Sequence, residues 1–564
     1  MAFQLSPGVN ISEIDLTTTV PAVASSIGAI AGAFTWGPVN QITTISNEVE
    51  LVNTFGKPDN DTATTFFSAA NFLSYSGNLK VVRAIGNTAL NASSGSTGFL
   101  VENEDDYTTN HSSGTTGTAW FAKYPGELGN SLLVSICDAQ KFSTWTYKAE
   151  FNSAPGTSVY AASINPNAND EVHVIVVDED GKFTGTPGTV LEKFAYVSKA
   201  SDAKTESGES NYYKDVINRT SRYIWWGNHV GATAPGTAWG SAVPGSTGFA
   251  TFGATGPYVN SLSFGVSAND LDGSTGFSIT AYDKFVDDSN DVNLIIAGEA
   301  DQATVTHLIS NIAEVRKDCI VLYSPEKSDV VNTSTPLTNV TGFMTTLSPN
   351  SSYAVMDSNW KYQYDKYNDL FRWIPCNGDV AGLCARTDQT NDPWFSPAGY
   401  NRGVIKNVIK LAWNPSKAQR DELYKVGVNP IITESGTGTV LFGDKTTLAR
   451  PSAFDRINVR RLFIILEKAI ATAAKFSLFE INDEFTRAQF VGLVEPYLRD
   501  VQGRRGIYDF KVVCDETNNT PQVIDSNSFV GDIYIKPARS INYIQLNFVA
   551  VRNSVEFSEI VGQF

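Results

Sequence analysis

Two periodicities of apolar and polar residues take turns along this chain. The run EVHVIVVD at 171–178 alternates with a period of two and predicts a strand. An apolar run at 292–297, a helical pattern at 302–317 and a second apolar run at 319–323 predict a strand, a helix and a strand parallel to the first. A helix is expected at 63–75, with strands at 80–85, 352–357 and 430–433. The pattern is clearest after 454. There Ile457, Leu462, Ile465, Leu466, Ala469, Ile470, Ala473 and Phe476 form one helical stripe over 455–479, with Asp455 as its cap. Asn482 is placed to cap a second helix over 484–501, ended by Gly503. Strand patterns follow at 508–514, 529–536 and 541–551, and Val555 and Phe557 alternate beyond them. At the other end Val9 and Ile11, then Ile14 and Leu16, alternate with a change of phase, which reads as a strand with an irregularity.

These patterns divide the chain. Residues 1–20 form an extended arm. Residues 21–90 and 281–450 read as one discontinuous α/β middle domain. Residues 91–280 are rich in Gly, Ser, Thr and Asn and read as a β-rich inserted region with long loops. Residues 451–551 read as a C-terminal α+β domain, and 552–564 as a second arm. The pentapeptide GSTGF recurs at Gly95, Gly245 and Gly273 at unequal intervals, which signals turns and not a solenoid period. The fold class is therefore α/β and α+β, in several domains.

Composition narrows the function. With 42% apolar and 11% aromatic residues, the chain can bury several cores and is not disordered. It has no apolar run of membrane-spanning length and no basic-then-apolar leader in its first fifteen residues, so no membrane insertion and no secretory signal are read. The net charge of −17 argues against a nucleic-acid partner. That charge is uneven: residues 451–564 hold 13 basic and 14 acidic residues, so nearly all the excess lies in front of them. A neutral last fifth suits a region packed against something else. The five cysteines, Cys137, Cys319, Cys376, Cys384 and Cys514, are odd in number and widely spaced, and predict free buried thiols.

No chemistry-bearing constellation survives a spacing test, so no catalytic residue, cofactor or metal is expected and the chain is not read as an enzyme. Gly438 and Gly443 have phosphate-loop spacing, but Asp444 separates Lys445 and Thr446 from the second glycine, where the lysine should follow directly. His111, His173, His229 and His307 are scattered, and Cys376 and Cys384 are eight apart, which is no usual zinc spacing. The cluster Tyr223–Ile224–Trp225–Trp226 is weighed as a stacking surface for a sugar or a partner against plain packing, with packing favoured. Arg456, Arg460 and Arg461 on the first C-terminal helix are either a solvated face or a basic edge for an acidic partner.

Five ordered stretches carry a resemblance. They are SPGVNISEIDLT at 6–17 with GAIAGAFTWGPVNQITTISNEVELVNTFGKP at 28–58, AKYPGELGNSLLVSI at 122–136, LEKFAYVSKASDAKTESGESNYYKDVIN at 191–218, INVRRLFIILEKAI at 457–470, and FKVVCDETNNTPQVID with FVGDIYIKPARSINYIQLNF between 510 and 548. In this order the chain resembles the tail sheath proteins of contractile-tailed bacteriophages. The Gly-rich stretch 232–256 matches nothing in that pattern. The resemblance implies a virion subunit, assembled in the host bacterial cytoplasm, that polymerises as stacked hexameric rings around a tail tube protein and meets baseplate and tail terminator proteins. It implies strand exchange: arms carrying Val9, Ile11, Ile14, Leu16, Val555 and Phe557 would complete a neighbour's C-terminal sheet, at Ile533, Ile535, Ile544, Leu546 and Phe548. It also implies a tube-facing C-terminal domain, for which Arg456, Arg460, Arg504 and Arg505 are the candidates. Contraction of such a sheath drives the tube through the host envelope and so serves genome ejection. A carbohydrate-binding surface adhesin, suggested by the Gly/Ser/Thr-rich strands and the aromatics, is the alternative. An α/β enzyme built on 290–450 is a third reading.

Overall fold

In the computed structural model, the described residues are 24–230, 239–252, 255–269, 275–542 and 545. The chain enters on strand β1, Gly28–Gly32, then makes edge strand β2, Thr43–Ile45, helix α1, Glu48–Phe55, helix α2, Ala63–Leu73, and strand β3, Leu79–Arg83. It then leaves for a long β excursion. This holds β4, Trp120–Ala122, β5, Leu132–Cys137, β6, Glu171–Asp178, β7, Thr189–Ser198, helix α3, Tyr213–Thr220, β8, Ile224–Trp226, and β9, Tyr258–Ser261. On return come β10, Leu294–Ile296, helix α4, Gln302–His307, β11, Ile320–Tyr323, helix α5, Pro336–Leu347, and β12, Ala354–Asp357. The hairpin β13, Trp360–Asp365, and β14, Leu370–Pro375, leads into helix α6, Asn377–Thr390. Strand β15, Lys410–Leu411, helix α7, Lys417–Lys425, β16, Val428–Asn429, and the hairpin β17, Ile431–Glu434, with β18, Gly438–Leu441, complete this part.

A seven-stranded sheet in the order β16-β12-β11-β10-β1-β3-β2 organises the core. Only β2 is antiparallel. Strand β1 lies between β3 and β10, with Gly28 opposite both Leu79 and Leu294, so the two sequence halves 24–83 and 294–429 share one sheet. Alternation along β1 divides its side chains: Ile30 enters the core with α2 and α6, whereas Ala29 and Ala31 enter the core on the other face with α4 and α5. The strand at 320–323 is parallel to that at 294–296, as its pattern predicts. The helix expected over 302–317 is interrupted. A π-helical stretch, Leu308–Ala313, separates α4 from a last turn that ends at left-handed Lys317.

The excursion between β3 and β10 has cores of its own. Its antiparallel sheet runs β7-β6-β5-β9, and β5 and β6 are buried on both faces. Val134, Ile136 and Val174 face one cluster; Leu133, Ile175 and Val177 face the other. Arg83, at the exit of β3, is wholly buried and donates to the carbonyls of Phe34, Gly37 and Pro125, so one guanidinium ties the central sheet to the excursion. Burial pulls its pKa down to about 9.

The last part packs α8, Ile457–Ala474, and α9, Glu484–Gly503, against the hairpin of β19, Ile507–Val513, and β20, Asp532–Pro537. Helix α8 is buried on two sides. Ile457 and Ile464 meet the central core, while Leu462, Leu466 and Ile470 meet α9 and β19. The stripe seen in the sequence overran the helix, because Phe476 lies in a following 3₁₀ turn and is exposed. The caps shift too. Asp455 belongs to a preceding turn, leaving Arg456 at the α8 N-cap, and Asp483, not Asn482, caps α9 by accepting from the Thr486 N–H at 2.8 Å. Of the strand expected at 541–551, Ile541, Asn542 and Gln545 are described and carry no strand; the remainder lies outside the described residues.

Candidate assembly surfaces

The C-terminal sheet is a two-stranded ribbon among the described residues, with Phe510 opposite Ile535 and Val512 opposite Ile533. Those four side chains pack on the α8–α9 core, whereas Tyr508 and Tyr534 stand in solvent. Ile533 and Ile535 are thus the two described members of the expected receiving sheet. Ile544, Leu546 and Phe548 fall outside the described residues, as do Val9, Ile11, Ile14, Leu16, Val555 and Phe557.

The expected basic edge on α8 does not exist, which corrects the reading of Arg456, Arg460 and Arg461. Arg461 is buried and binds Asp388 at 2.5 Å, with its other donors on the carbonyls of Cys384 and Ser25. Arg460 is buried with its guanidinium over the rings of Tyr353 and Phe454, at 4.4 and 4.5 Å. Arg456 donates to the Tyr424 hydroxyl at 2.8 Å and lies 3.5 Å from Asp444. An apparent i,i+4 basic edge can be recognised as internal only from the acids that other segments bring to it. Arg504 and Arg505 are exposed, with Arg504 paired to Asp392 and Asp500. Arg505, with Arg402, Arg420 and Arg539, lines an open groove of about 1050 Å³ between the 394–444 segment and the C-terminal ribbon.

A second surface was not legible as such. In the hairpin β13–β14 the inward side chains of β13 are polar. Lys361 and Asp379 form a fully buried ion pair at 2.8 Å, Gln363 accepts from Asn71, and Asp365 accepts from Arg372. The outward side chains are aromatic: Tyr362 is opposite Trp373, Tyr364 is opposite Phe371, and Lys410 stands 5.0 Å from the centre of the Tyr362 ring. The alternation WKYQYD points to the aromatic set as the core face; only the buried acid and amide partners on α6 and α2 reverse it.

The remaining candidates are structural. Trp225 and Trp226 are buried, Trp225 stacking on Tyr107 at 4.3 Å beneath the Lys123 ammonium, so they offer no sugar platform. Gly438 opens strand β18, Lys445 donates to the Tyr424 carbonyl and Thr446 to that of Phe454, so no phosphate cradle forms. His173 is buried against the Ser153 carbonyl, His229 meets the Tyr213 hydroxyl, and His307 meets Asp283 at 2.6 Å. All five cysteines are free and buried, as expected.

A mostly parallel sheet with helices on both faces, an inserted β-rich region and a small C-terminal α+β unit make up the architecture. Comparison with known proteins gives its class. The phage tail sheath protein central domain matches residues 273–447, the phage tail sheath C-terminal domain matches 449–550, and the N-terminal region of tail sheath protein Gp18 domain III matches 25–84. The tail sheath protein of Vibrio phage KVP40 is 34% identical over 99% of this chain and 100% of its own; that of Enterobacteria phage T4 is 35% identical over 99% of both. Among solved structures, the sheath tail protein of Listeria innocua shares the fold with a TM-score of 0.53 at 12% identity, over 92% of this chain and 97% of its own. That of Desulfitobacterium hafniense does so at 0.51 and 12%, over 94% and 100%. The chain belongs to the phage tail sheath family. It is a structural subunit of a contractile phage tail sheath, a multi-subunit assembly.

Proposed function

We propose that this subunit polymerises around the tail tube as stacked hexameric rings, and that its two terminal segments finish their folding on neighbouring copies. The observation that carries this reading is the C-terminal ribbon. A two-stranded sheet is marginal alone, and here β20 is described with no partner beyond β19. Strands carrying Val9, Ile11, Ile14 and Leu16 from one neighbour, and Val555 and Phe557 from another, would extend the sheet of Ile533 and Ile535 by main-chain hydrogen bonds. Donation to a different surface of the next copy is heterologous, so it propagates instead of closing into a dimer. Arg504 and Arg505 are the tube-contact residues in this reading, being the exposed members of the four candidates. Contraction would exchange one packing of the copies for another that differs by a few kcal/mol per subunit, and many subunits together would drive the tube. Baseplate and terminator proteins would bound the column, assembled in the host cytoplasm.

Deleting residues 1–18 tests the arms. The expected result is a folded, soluble chain that forms no tubes in negative-stain micrographs. Normal tubes that still contract would defeat the arm model.

A further inference from the structure

We propose that two orphan surfaces of this chain bind each other between neighbouring copies: the aromatic face of the β13–β14 hairpin in one copy docks on the corner between α8 and α9 in the next. This rests on the subunit role, which the comparisons establish, and not on the terminal arms.

The hairpin is the first surface. Its polar face is spent inside the molecule on Asp379 of α6, Asn71 of α2 and, through Arg372 of the same hairpin, Asn60, so its orientation is fixed and the aromatic face is held outward. Tyr364 and Phe371 are 48% and 49% exposed, with ring centroids 5.3 Å apart, and Tyr362 and Trp373 continue the strip toward the core. Lys410 lies over the inner end of the strip, 5.0 and 5.4 Å from the Tyr362 and Trp373 rings. Asp369, at the hairpin's turn, accepts from the Tyr364 hydroxyl at 2.7 Å.

The second surface is the α8–α9 corner. Phe476, Leu478, Phe479, Ile481 and Phe485 lie within ten residues, and each is at least 62% exposed. Isolated exposed apolar residues need no explanation, but five together are the mark of a contact surface. The corner is acidic as well as apolar: Glu480, Asp483 and Glu484 outnumber the exposed Lys475 at its start, and Arg487 just past it is buried and donates to Asn482. Aromatic strip with cation therefore meets apolar corner with carboxylates, and the charges are of opposite sign.

The placement of the two surfaces makes a chain of copies possible. The hairpin grows from the edge where the parallel strands end, since the Trp360 indole donates to the Pro325 carbonyl just past β11. Helix α8 crosses the opposite edge, where Lys468 binds Asp291 and Asp318 just before β10 and β11. The base of the hairpin and the middle of α8 thus lie at opposite edges of the main sheet, and the tip of the hairpin runs back to Glu48, which Lys366 and Tyr367 bind. Because the two patches are different surfaces, the contact can repeat head to tail from copy to copy.

The test uses the full chain with Tyr364→Cys and Phe479→Cys together, treated with a short bismaleimide. All five native thiols are buried, so the two new ones react selectively. The expected result is a ladder of linked copies in assembled tubes and none from either single variant. Adding Lys410→Glu should reduce the ladder, and adding Glu480→Lys to that chain should restore it. Normal tubes with no ladder would overturn the proposal, and so would linked dimers from Phe479→Cys alone, which would mean that like corners pair. If the double variant assembles poorly, the two single variants are mixed as soluble chains: a linked one-to-one heterodimer is expected, and its absence also overturns the proposal. The same mixture made with residues 1–18 deleted separates this contact from the arms, because heterodimers should persist there even when tubes do not form.

Discussion

At the scale of single residues, the buried charges around the end of β12 have the sharpest consequences. Asp357 is fully buried, accepts from the Ser324 hydroxyl at 2.6 Å and from the Asn359 N–H at 3.0 Å, and has no cation among its hydrogen-bond partners. Desolvation pushes its pKa up to about 7 from the ordinary 3.8. The folded state therefore holds this proton through a pH window in which the unfolded chain has lost it. Its contribution to stability is complete below about pH 4 and is lost as pH rises through about 7. Asp357→Asn should accordingly stabilise the protein by on the order of 2–4 kcal/mol at pH 8 and change little at pH 4, read from urea denaturation at the two values. Little of this was legible in the sequence. Asp357 ends an apolar strand run and looks like a solvated strand terminus; its burial depends on Ser324 and on α6, which lie distant in sequence. The arginines of α8 misled for the same reason, since Asp388 and the carbonyl of Ser25 come from other segments.

At the scale of elements, the helices with strong amphipathic patterns and the strands with apolar runs were readable from the chain, whereas α6 was not. Its sequence NGDVAGLCARTDQT is short of large apolar residues because it runs against α2 at backbone distance. A methyl at Gly378 would meet the Ser68 carbonyl oxygen at 2.3 Å, and one at Gly382 would meet the Tyr75 ring at 2.4 Å. Glycine is there for proximity, against its helix propensity. Gly378→Ala should therefore destabilise the fold by about 1–3 kcal/mol, through forced separation of the two helices. Gly342→Ala in α5, where a methyl meets nothing within 4 Å, should stabilise by roughly 0.5–1 kcal/mol. Thermal unfolding of the two variants side by side checks the pair; equal shifts would show that propensity alone decides. The hairpin β13–β14 was read past for a related reason. Alternation reports which residues share a face, but not which face is buried, and here the buried face is the polar one.

At the scale of the whole molecule, one buried ion pair joins the C-terminal unit to the rest, beside the apolar contacts of Ile457 and Ile464. Arg461 on α8 binds Asp388 on α6 and the carbonyl of Ser25, just ahead of β1. Both side chains are nearly without solvent contact, so removing one strands the other's charge. Arg461→Met should cost about 3–5 kcal/mol, and Arg461→Met with Asp388→Leu should recover most of it, judged by the midpoint of chemical denaturation. No recovery in the double variant would mean that the Ser25 and Cys384 carbonyls, and not the ion pair, hold the joint. The strands and helices on either side of the β-rich stretch, and the two helices before the ribbon, were legible as local patterns. That 24–83 and 294–429 share one sheet, and in what order its strands lie, was not legible, because pairing across a parallel sheet leaves no mark on local sequence.

The five sealed thiols have a practical consequence. Since Cys137, Cys319, Cys376, Cys384 and Cys514 are all out of reach of solvent, the exterior of this chain is in effect free of sulfhydryls. A single introduced cysteine would therefore carry a fluorophore at one known address. Donor and acceptor dyes on alternate copies would then turn shortening of the column into an optical signal that can be timed in bulk solution.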